Sequence, residues 1–227
     1  MRRISAYFIS LLIFPFAFSA NAQDSLPVPL KIRIGADVYG PVSYYTNLNN
    51  VNKKTLSIEG YLSLDIDTQK AAVIEGGYLN FRYSQYNYTY QSKGAFIRLG
   101  VDFNLIRPEA APGKYYAGIG LRYGLSLFSS EVPFLKQDNY WGGVTGTIPR
   151  STHIAHFIEA SPGIRTEIFR NLSMGWVIRL RILLFSNTGK DLKAIYIPGY
   201  GNGVKSFSPG LNYYFIWSIP YKSHKNP

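Results

Sequence analysis

Three histidines are the first residues of this sequence to consider for acid–base chemistry. His153 and His156 lie at one end of a segment in which apolar and polar residues alternate, and His156 shares the side of Ile154 and Ile158, whereas His224 lies in the C-terminal tail. A lipid hydrolase or acyltransferase needs a nucleophile, usually serine, with a histidine beside it as base. A histidine on the apolar side of a strand is typical of a membrane interface, so the sequence predicts no catalytic residues and no enzyme.

Metal and phosphate sites also lack their usual patterns. The sequence has no cysteine, no His-x-x-x-His pair and no carboxylate cluster in a loop. Gly199, Gly201 and Gly203 are not followed by the Lys-Ser or Lys-Thr of a phosphate-binding loop, so they are interpreted as turn residues. We therefore expect no metal and no cofactor.

Charged side chains of both signs recur at alternate positions and form the larger candidate site. In a narrow barrel these residues would point inward, where opposite charges can pair and fill the lumen. The predicted lumen network consists of Arg33, Asp37, Glu59, Asp65, Glu75, Arg98, Asp102, Arg122, Glu159, Arg165, Glu167, Arg179 and Arg181. A substrate-binding or catalytic arrangement of the same charges is the alternative.

The elements that would carry these charges are strands with two different faces. Leu62, Leu64 and Ile66 alternate with Ser63 and Asp65, which is the period of a β-strand. Such alternation recurs in about eight segments of barrel-strand length. They are residues 31–43, 55–65, 71–81, 92–105, 115–128, 154–168, 172–185 and 207–221. A water-soluble sandwich would turn the apolar face to a core, whereas a membrane barrel would turn it to lipid.

The N-terminus favours export from the cytoplasm. Arg2 and Arg3 precede an apolar run from Ile4 to Phe18, and Ala20 with Ala22 gives the small-x-small pattern of a cleavage site. The run is shorter than a spanning helix requires. We expect a cleaved signal peptide at residues 1–22, a periplasmic lead-in at 23–30, a barrel at 31–221 and a polar tail at 222–227.

Composition agrees with an outer-membrane destination. Aromatic residues make up 16% of the chain, enough for girdles at both membrane interfaces. The expected interfacial aromatics are Tyr213, Phe215, Trp217, Tyr221 and Trp176. The net charge of +11 is scattered along the strands, which favours lipopolysaccharide phosphates or an acidic protein over nucleic acid as the partner.

Connection lengths indicate the orientation. Long links are expected after the first, third, fifth and seventh strands, including segments 129–152 and 186–206, and short links after the others. This asymmetry is typical of outer-membrane barrels with both termini in the periplasm. The predicted fold class is therefore all-β, a closed antiparallel up-and-down transmembrane β-barrel of about eight strands in a Gram-negative outer membrane.

Several segments resemble a Bacteroidota family of uncharacterised outer-membrane barrels. They are residues 93–106 (KGAFIRLGVDFNLI), 115–129 (YYAGIGLRYGLSLFS), 157–184, 196–201 (YIPGYG) and 207–221 (FSPGLNYYFIWSIPY). The family is similar to an integral subunit that accompanies the barrel-assembly machinery and docks surface lipoproteins. The shared motifs are structural rather than catalytic. One departure is that Tyr221 is followed by six more residues, whereas outer-membrane barrels commonly end on an aromatic residue.

The sequence thus predicts a non-enzymatic outer-membrane barrel with a charged, self-plugged lumen. Its long outer segments would dock surface lipoproteins or other outer-membrane proteins, while its wall would contact lipids and lipopolysaccharide. A small porin-like or solute-binding barrel is the first alternative. A lipid-modifying enzyme that uses His156 is the second.

Overall fold

A computed structural model describes residues 28–45, 52–106, 114–139, 142–188 and 193–224. The predicted signal peptide, all but the last three residues of the lead-in and the end of the polar tail lie outside the described residues, so those predictions stand as they are. Among the residues described, no helix has the length and apolar character needed to cross a membrane.

Eight long antiparallel strands form one sheet that closes on itself. They are β1 (Val28–Asp37), β2 (Lys53–Asp65), β3 (Lys70–Ser84), β4 (Tyr88–Asn104), β5 (Tyr115–Asn139), β6 (Gly142–Phe169), β7 (Leu172–Ser186) and β10 (Phe207–His224). Consecutive strands are paired and β1 pairs with β10, so the ring has no open side. This confirms the predicted all-β, closed up-and-down barrel.

Three smaller elements lie at one end of the barrel. Helix α1 (Tyr39–Tyr45) follows β1, and the short strands β8 (Tyr196–Ile197) and β9 (Gly201–Asn202) form a hairpin between β7 and β10. We call this end, opposite both chain termini, the distal end, and the other the terminal end. Among the residues that the structure describes, the connections with extra structure are therefore distal.

The alternation in the sequence becomes an inner and an outer face. In β2, Ile58 and Leu64 point outward with 56% and 44% of their surface exposed, while Glu59, Ser63 and Asp65 are buried inside. Exposed isoleucine, leucine and aromatic side chains continue around the other strands. The outer surface is consequently an apolar belt, far larger than the apolar patches of soluble monomers.

The first strand is shorter than predicted. Residues 31–43 were expected to be extended, but β1 ends at Asp37 and α1 begins at Tyr39. The Asp37 carboxylate accepts hydrogen bonds from the backbone N–H groups of Tyr39 (3.3 Å) and Gly40 (2.9 Å), as a helix N-cap does. The cap overrides the weak alternation after Val38.

Two predicted loops are strands instead. Residues 82–91 and 129–152 were expected to be irregular, yet only residues 85–87 separate β3 from β4, and β5 and β6 extend to residues 139 and 142. Tyr90, Val132 and Phe81 bury apolar surface on the inner side of this extension. Alternation fades there because the outward positions carry polar residues, so the pattern gave no strand signal. The predicted long links after the third and fifth strands are therefore wrong.

The last long connection enters the barrel mouth. Ala194, Ile197 and Tyr200 are buried against Phe128 and Phe157 of the inner wall. Gly199 (φ 74°) and Gly201 (φ 109°) adopt the left-handed conformation that favours glycine. Gly199 lies in the turn between β8 and β9, as predicted, whereas Gly201 is the first residue of β9. We call residues 193–206 the inserted segment.

Candidate functional site

The centre of the lumen holds a network of ionised side chains contributed by several strands. Arg98 of β4 contacts three carboxylates, with its guanidinium nitrogens 2.5 Å from Glu59 Oε2, 3.1 Å from Glu75 Oε2 and 3.0 Å from Glu159 Oε2. Arg98 is fully buried. A buried guanidinium is stable only where carboxylates surround it in this way.

Arg179 of β7 contacts the same three carboxylates from the opposite side. Its Nη2 lies 2.6 Å from Glu59 Oε1 and its Nη1 lies 2.9 Å from Glu75 Oε2, and it is also paired with Glu159. Asn212 Oδ1 accepts from Arg179 Nε at 2.8 Å. The hydroxyl of Tyr214 donates to Glu59. Each of the three carboxylates is thus shared by Arg98 and Arg179.

Two further arginines extend this network toward the two ends of the barrel. Arg122 Nε lies 2.9 Å from Glu75 Oε1, and its Nη2 lies 2.9 Å from Asp102 Oδ1. Arg181 Nε lies 2.9 Å from Glu159 Oε2. We call these eight residues the central network: Glu59, Glu75, Arg98, Asp102, Arg122, Glu159, Arg179 and Arg181. Positive and negative charges balance within it.

The remaining predicted lumen residues lie outside the central network. Toward the terminal end, Arg33 pairs with Asp65, and Lys31 Nζ lies 2.9 Å from Glu167 Oε2. Arg165 stacks over the ring of Tyr116, 4.8 Å from its centroid. Asp37 is inward and buried, but it caps α1 and accepts the Tyr213 backbone N–H at 3.1 Å. These residues face the lumen, as their inward parity predicts, but they lie at other heights along the barrel axis than the central network.

Three inward residues that bind the central network are absent from the predicted set. Tyr214 and Asn212 of β10 bind central charges directly, and the Tyr61 hydroxyl donates to Asp102 Oδ2 at 3.3 Å. All three share the inward parity of their strands, which was the available signal. The predicted set contains charged residues alone, and these neutral side chains complete their hydrogen bonds.

The two central histidines face different environments. His156 Nδ1 lies 2.6 Å from the Tyr123 hydroxyl on the outer face. His153 is buried inside, with its Nε2 hydrogen-bonded to Ser151 Oγ at 2.8 Å. In the part of the chain that the structure describes, neither ring is hydrogen-bonded to a carboxylate, and no three His, Asp or Glu side chains are grouped to hold a metal ion.

A cavity of about 440 Å³ opens at the distal mouth. Its walls are α1, the distal part of β2, the inserted segment and the start of β10, and Glu59 and Arg181 form its floor. Two much smaller cavities, of about 30 and 20 Å³, flank Arg165 near the terminal end. The distal cavity is therefore the larger space next to the central network.

A comparison with protein families identifies the family of the chain but no activity. The model of one family, described as a domain of unknown function (DUF6048), matches residues 2–224. The chain belongs to the DUF6048 family. No curated protein matches it. The expected membership of an uncharacterised family is confirmed at this level.

Among its described residues, the DUF6048 barrel has a strand edge in its distal extension that pairs with no second strand. β6 pairs with β5 from Gly142 onward, whereas on its other side pairing with β7 starts only at Ala155. Asn187 closes this junction, because its backbone N–H donates to the Ile154 carbonyl at 3.1 Å and its Oδ1 accepts from Ile154 N at 2.7 Å. Residues 142–153, the β6 edge, thus pair with a strand on one side only within the described structure.

The predicted interfacial aromatics of the DUF6048 barrel lie together on the outer face of β7 and β10. The rings of Trp176 and Tyr213 have centroids 4.4 Å apart, and Tyr213 lies 5.8 Å from Phe215. Trp217 is exposed, and the Tyr221 hydroxyl donates to the Asp65 carbonyl at 2.5 Å near the terminal end. These residues form an aromatic patch on one side of the barrel.

Proposed function

We propose that this chain is a non-enzymatic, integral β-barrel of a Gram-negative outer membrane that docks a partner protein at its distal end. The apolar belt supports the membrane part of the proposal, because closure of the ring satisfies the backbone while the belt meets lipid. The signal-peptide pattern and the outward aromatics support the same destination. With an even number of strands both termini lie on one side, which we place in the periplasm.

The lumen favours docking over transport. The central network fills the cross-section with paired charges, and the inserted segment covers part of the distal mouth. A barrel of eight strands has room for interior side chains and little more. Because each central carboxylate is engaged by arginine, none is free to act as a base. Function is therefore assigned to the distal surface.

The β6 edge is the observation that carries the docking proposal. An exposed strand edge offers backbone N–H and C=O groups to an extended segment of another protein, a mode called β-augmentation. The distal end would face the cell exterior. The partner class that we propose is a surface lipoprotein or another outer-membrane protein. We assign it to outer-membrane protein assembly in Bacteroidota, as the family resemblance implies.

Photo-crosslinking in cells tests the docking surface. A photoreactive phenylalanine analogue replaces Thr147 in the β6 edge, and in a matched strain it replaces Thr68 in the β2–β3 turn at the terminal end. We expect a discrete crosslinked protein from position 147 and a different pattern or none from position 68. Identical products from both positions would contradict a distal docking site.

Shortening the distal hairpin provides an independent test. Ser130 and Ser151 are direct partners, so replacing residues 131–150 by Asn-Gly leaves a two-residue turn on the barrel wall. We expect the shortened barrel to fold but to lose the proteins that co-purify with the full chain. Unchanged co-purification from outer membranes would overturn the proposal.

A solute-binding or porin-like barrel is the second candidate, and the distal cavity favours it. Planar-bilayer recordings separate the two functions, because a lumen filled by the central network should give no conductance. Steady, repeatable conductance steps from the purified barrel would favour the channel over the docking protein.

A further inference from the structure

The distal cavity has the size and the walls of a small-molecule site. Its volume of about 440 Å³ lies within the range of ligand pockets. α1, β2, the inserted segment and β10 form most of its wall. Its floor is fixed by the central network, since Arg181 Nη1 donates to the Tyr200 carbonyl at 3.0 Å while its Nε is held by Glu159. The site is therefore preformed.

The acidic residues that line this cavity are already engaged. Asp37 accepts three backbone N–H groups, those of Tyr39, Gly40 and Tyr213. Glu59 is paired with two arginines of the central network and also accepts the Tyr214 hydroxyl. Neither carboxylate is available to attract a cation into the cavity.

Two basic residues of the cavity lining, Lys53 and Lys205, contribute positive charge to the cavity. Lys53 Nζ lies 5.8 Å above the rings of Phe81 and Tyr196. Lys205 is exposed at the end of the inserted segment. Within the described structure neither lysine forms an ion pair with a carboxylate. These two lysines make the cavity attractive to an anion, whereas Arg181 on the floor is paired with Glu159.

The neutral groups that line the distal cavity indicate which class of ligand fits it. The Thr55 hydroxyl is buried without a hydrogen-bond partner among the described residues, and Ser57 and Asn202 add further polar groups. The aromatic rings of Tyr196 and Phe96 offer apolar faces to the same space. Hydroxyl groups beside apolar faces and a cationic rim suit a sugar that carries a phosphate.

We propose that the distal cavity binds a phosphorylated sugar, with Lys53 and Lys205 holding the phosphate. This function is separate from docking at the β6 edge. The sugar phosphate is either a soluble solute or the headgroup of a lipid in the outer leaflet. Both sources share the chemistry that the cavity recognises.

Isothermal titration calorimetry of the full barrel in detergent tests the proposal. Glucose 1-phosphate, glucose and inorganic phosphate are titrated at equal ionic strength. We expect glucose 1-phosphate to bind at least about tenfold more tightly than either fragment, because only it uses both the cationic and the neutral walls. Absence of binding by glucose 1-phosphate overturns the proposal.

Lysine variants locate the site. Lys53→Gln combined with Lys205→Gln is expected to weaken glucose 1-phosphate binding by about tenfold or more, since the phosphate loses both ammonium groups. Lys54→Gln is the matched control, because Lys54 is the next residue of β2 and is exposed on the opposite face. Heat-modifiable gel mobility verifies that all variants are folded barrels. Equal affinity of the double variant and the wild type, or an equal loss in Lys54→Gln, contradicts the assignment.

A competition experiment separates the two sources of the ligand. Lipopolysaccharide that displaces glucose 1-phosphate from the wild-type barrel identifies a lipid headgroup. Binding of glucose 1-phosphate that lipopolysaccharide leaves unchanged identifies a soluble sugar phosphate. Because neither measurement involves a protein partner, failure here leaves the crosslinking test of docking unaffected.

Discussion

Glu159 joins three arginines of the central network and also accepts the Ser161 hydroxyl. Glu159→Gln removes the negative charge and leaves Arg98, Arg179 and Arg181 in excess. We expect the free energy of unfolding, measured by urea titration in detergent micelles, to fall by roughly 3–5 kcal/mol. Glu131→Gln, on the distal extension, is the control. A change within about 1 kcal/mol for Glu159→Gln would show that the network is not needed for stability.

A charge-balanced double variant tests whether the loss of stability in Glu159→Gln comes from the uncompensated positive charge. Among the described residues Glu159 is the one carboxylate paired with Arg181, so Glu159→Gln combined with Arg181→Met restores neutrality at that position. We expect the double variant to be less destabilised than the sum of the two single variants. Additive losses from the two substitutions would contradict this coupling.

For single residues, the sequence predicts which face of its strand a side chain occupies but not which partners it binds. Arg165 and Asp37 have the inward parity of the central charges, yet one stacks on Tyr116 and the other caps α1. The alternation of apolar and polar residues does not predict how far along the barrel axis a side chain lies, because that position depends on strand tilt and pairing. The partners of each charge therefore had to come from the structure.

Among the elements, the inserted segment has little backbone pairing and is held by buried side chains. Tyr200 is fully buried, and its hydroxyl donates to the Lys205 carbonyl at 2.6 Å. Burial raises the pKa of the Tyr200 phenol, which keeps it neutral and able to donate. Tyr200→Ala would leave a void beneath the segment. We expect trypsin to cleave after Lys193 or Lys205 faster in this variant, while the barrel stays intact. Tyr45→Ala, which changes a residue that is 82% exposed, is the control and should not alter cleavage. Equal cleavage rates in wild type and Tyr200→Ala would show that the segment is held by other contacts.

The sequence predicted the long connection but not its position, because Tyr196 and Tyr200 have no periodic neighbours that reveal a buried face. It also missed the distal parts of β5 and β6, where polar outward residues erase the two-faced pattern.

For the whole molecule, the apolar belt makes a direct prediction about lipid contact. Trp176 and Trp217 are exposed on the outer face, 46% and 52% respectively. Brominated lipids quench tryptophan only at close range. In a Trp141→Phe background, where Trp176 and Trp217 are the two remaining tryptophans, we therefore expect strong quenching in reconstituted vesicles. Weak quenching in that background would contradict the proposed orientation of the belt. The closed all-β architecture was predictable because alternation recurs in every long strand, a requirement that closure imposes on the entire ring.

The central network also has a consequence for how the strands find their places. A shift of one strand by two residues keeps every apolar side chain outside, so alternation alone cannot reject it. In the native pairing Glu75 lies opposite Arg98, and Arg122 lies opposite Glu159. Sliding β4 by two residues would place Phe96 or Gly100 opposite Glu75 and leave buried charges unmatched. The interior charges thus favour the native register over one shifted by two residues, because the shifted barrel would hold buried charges without partners.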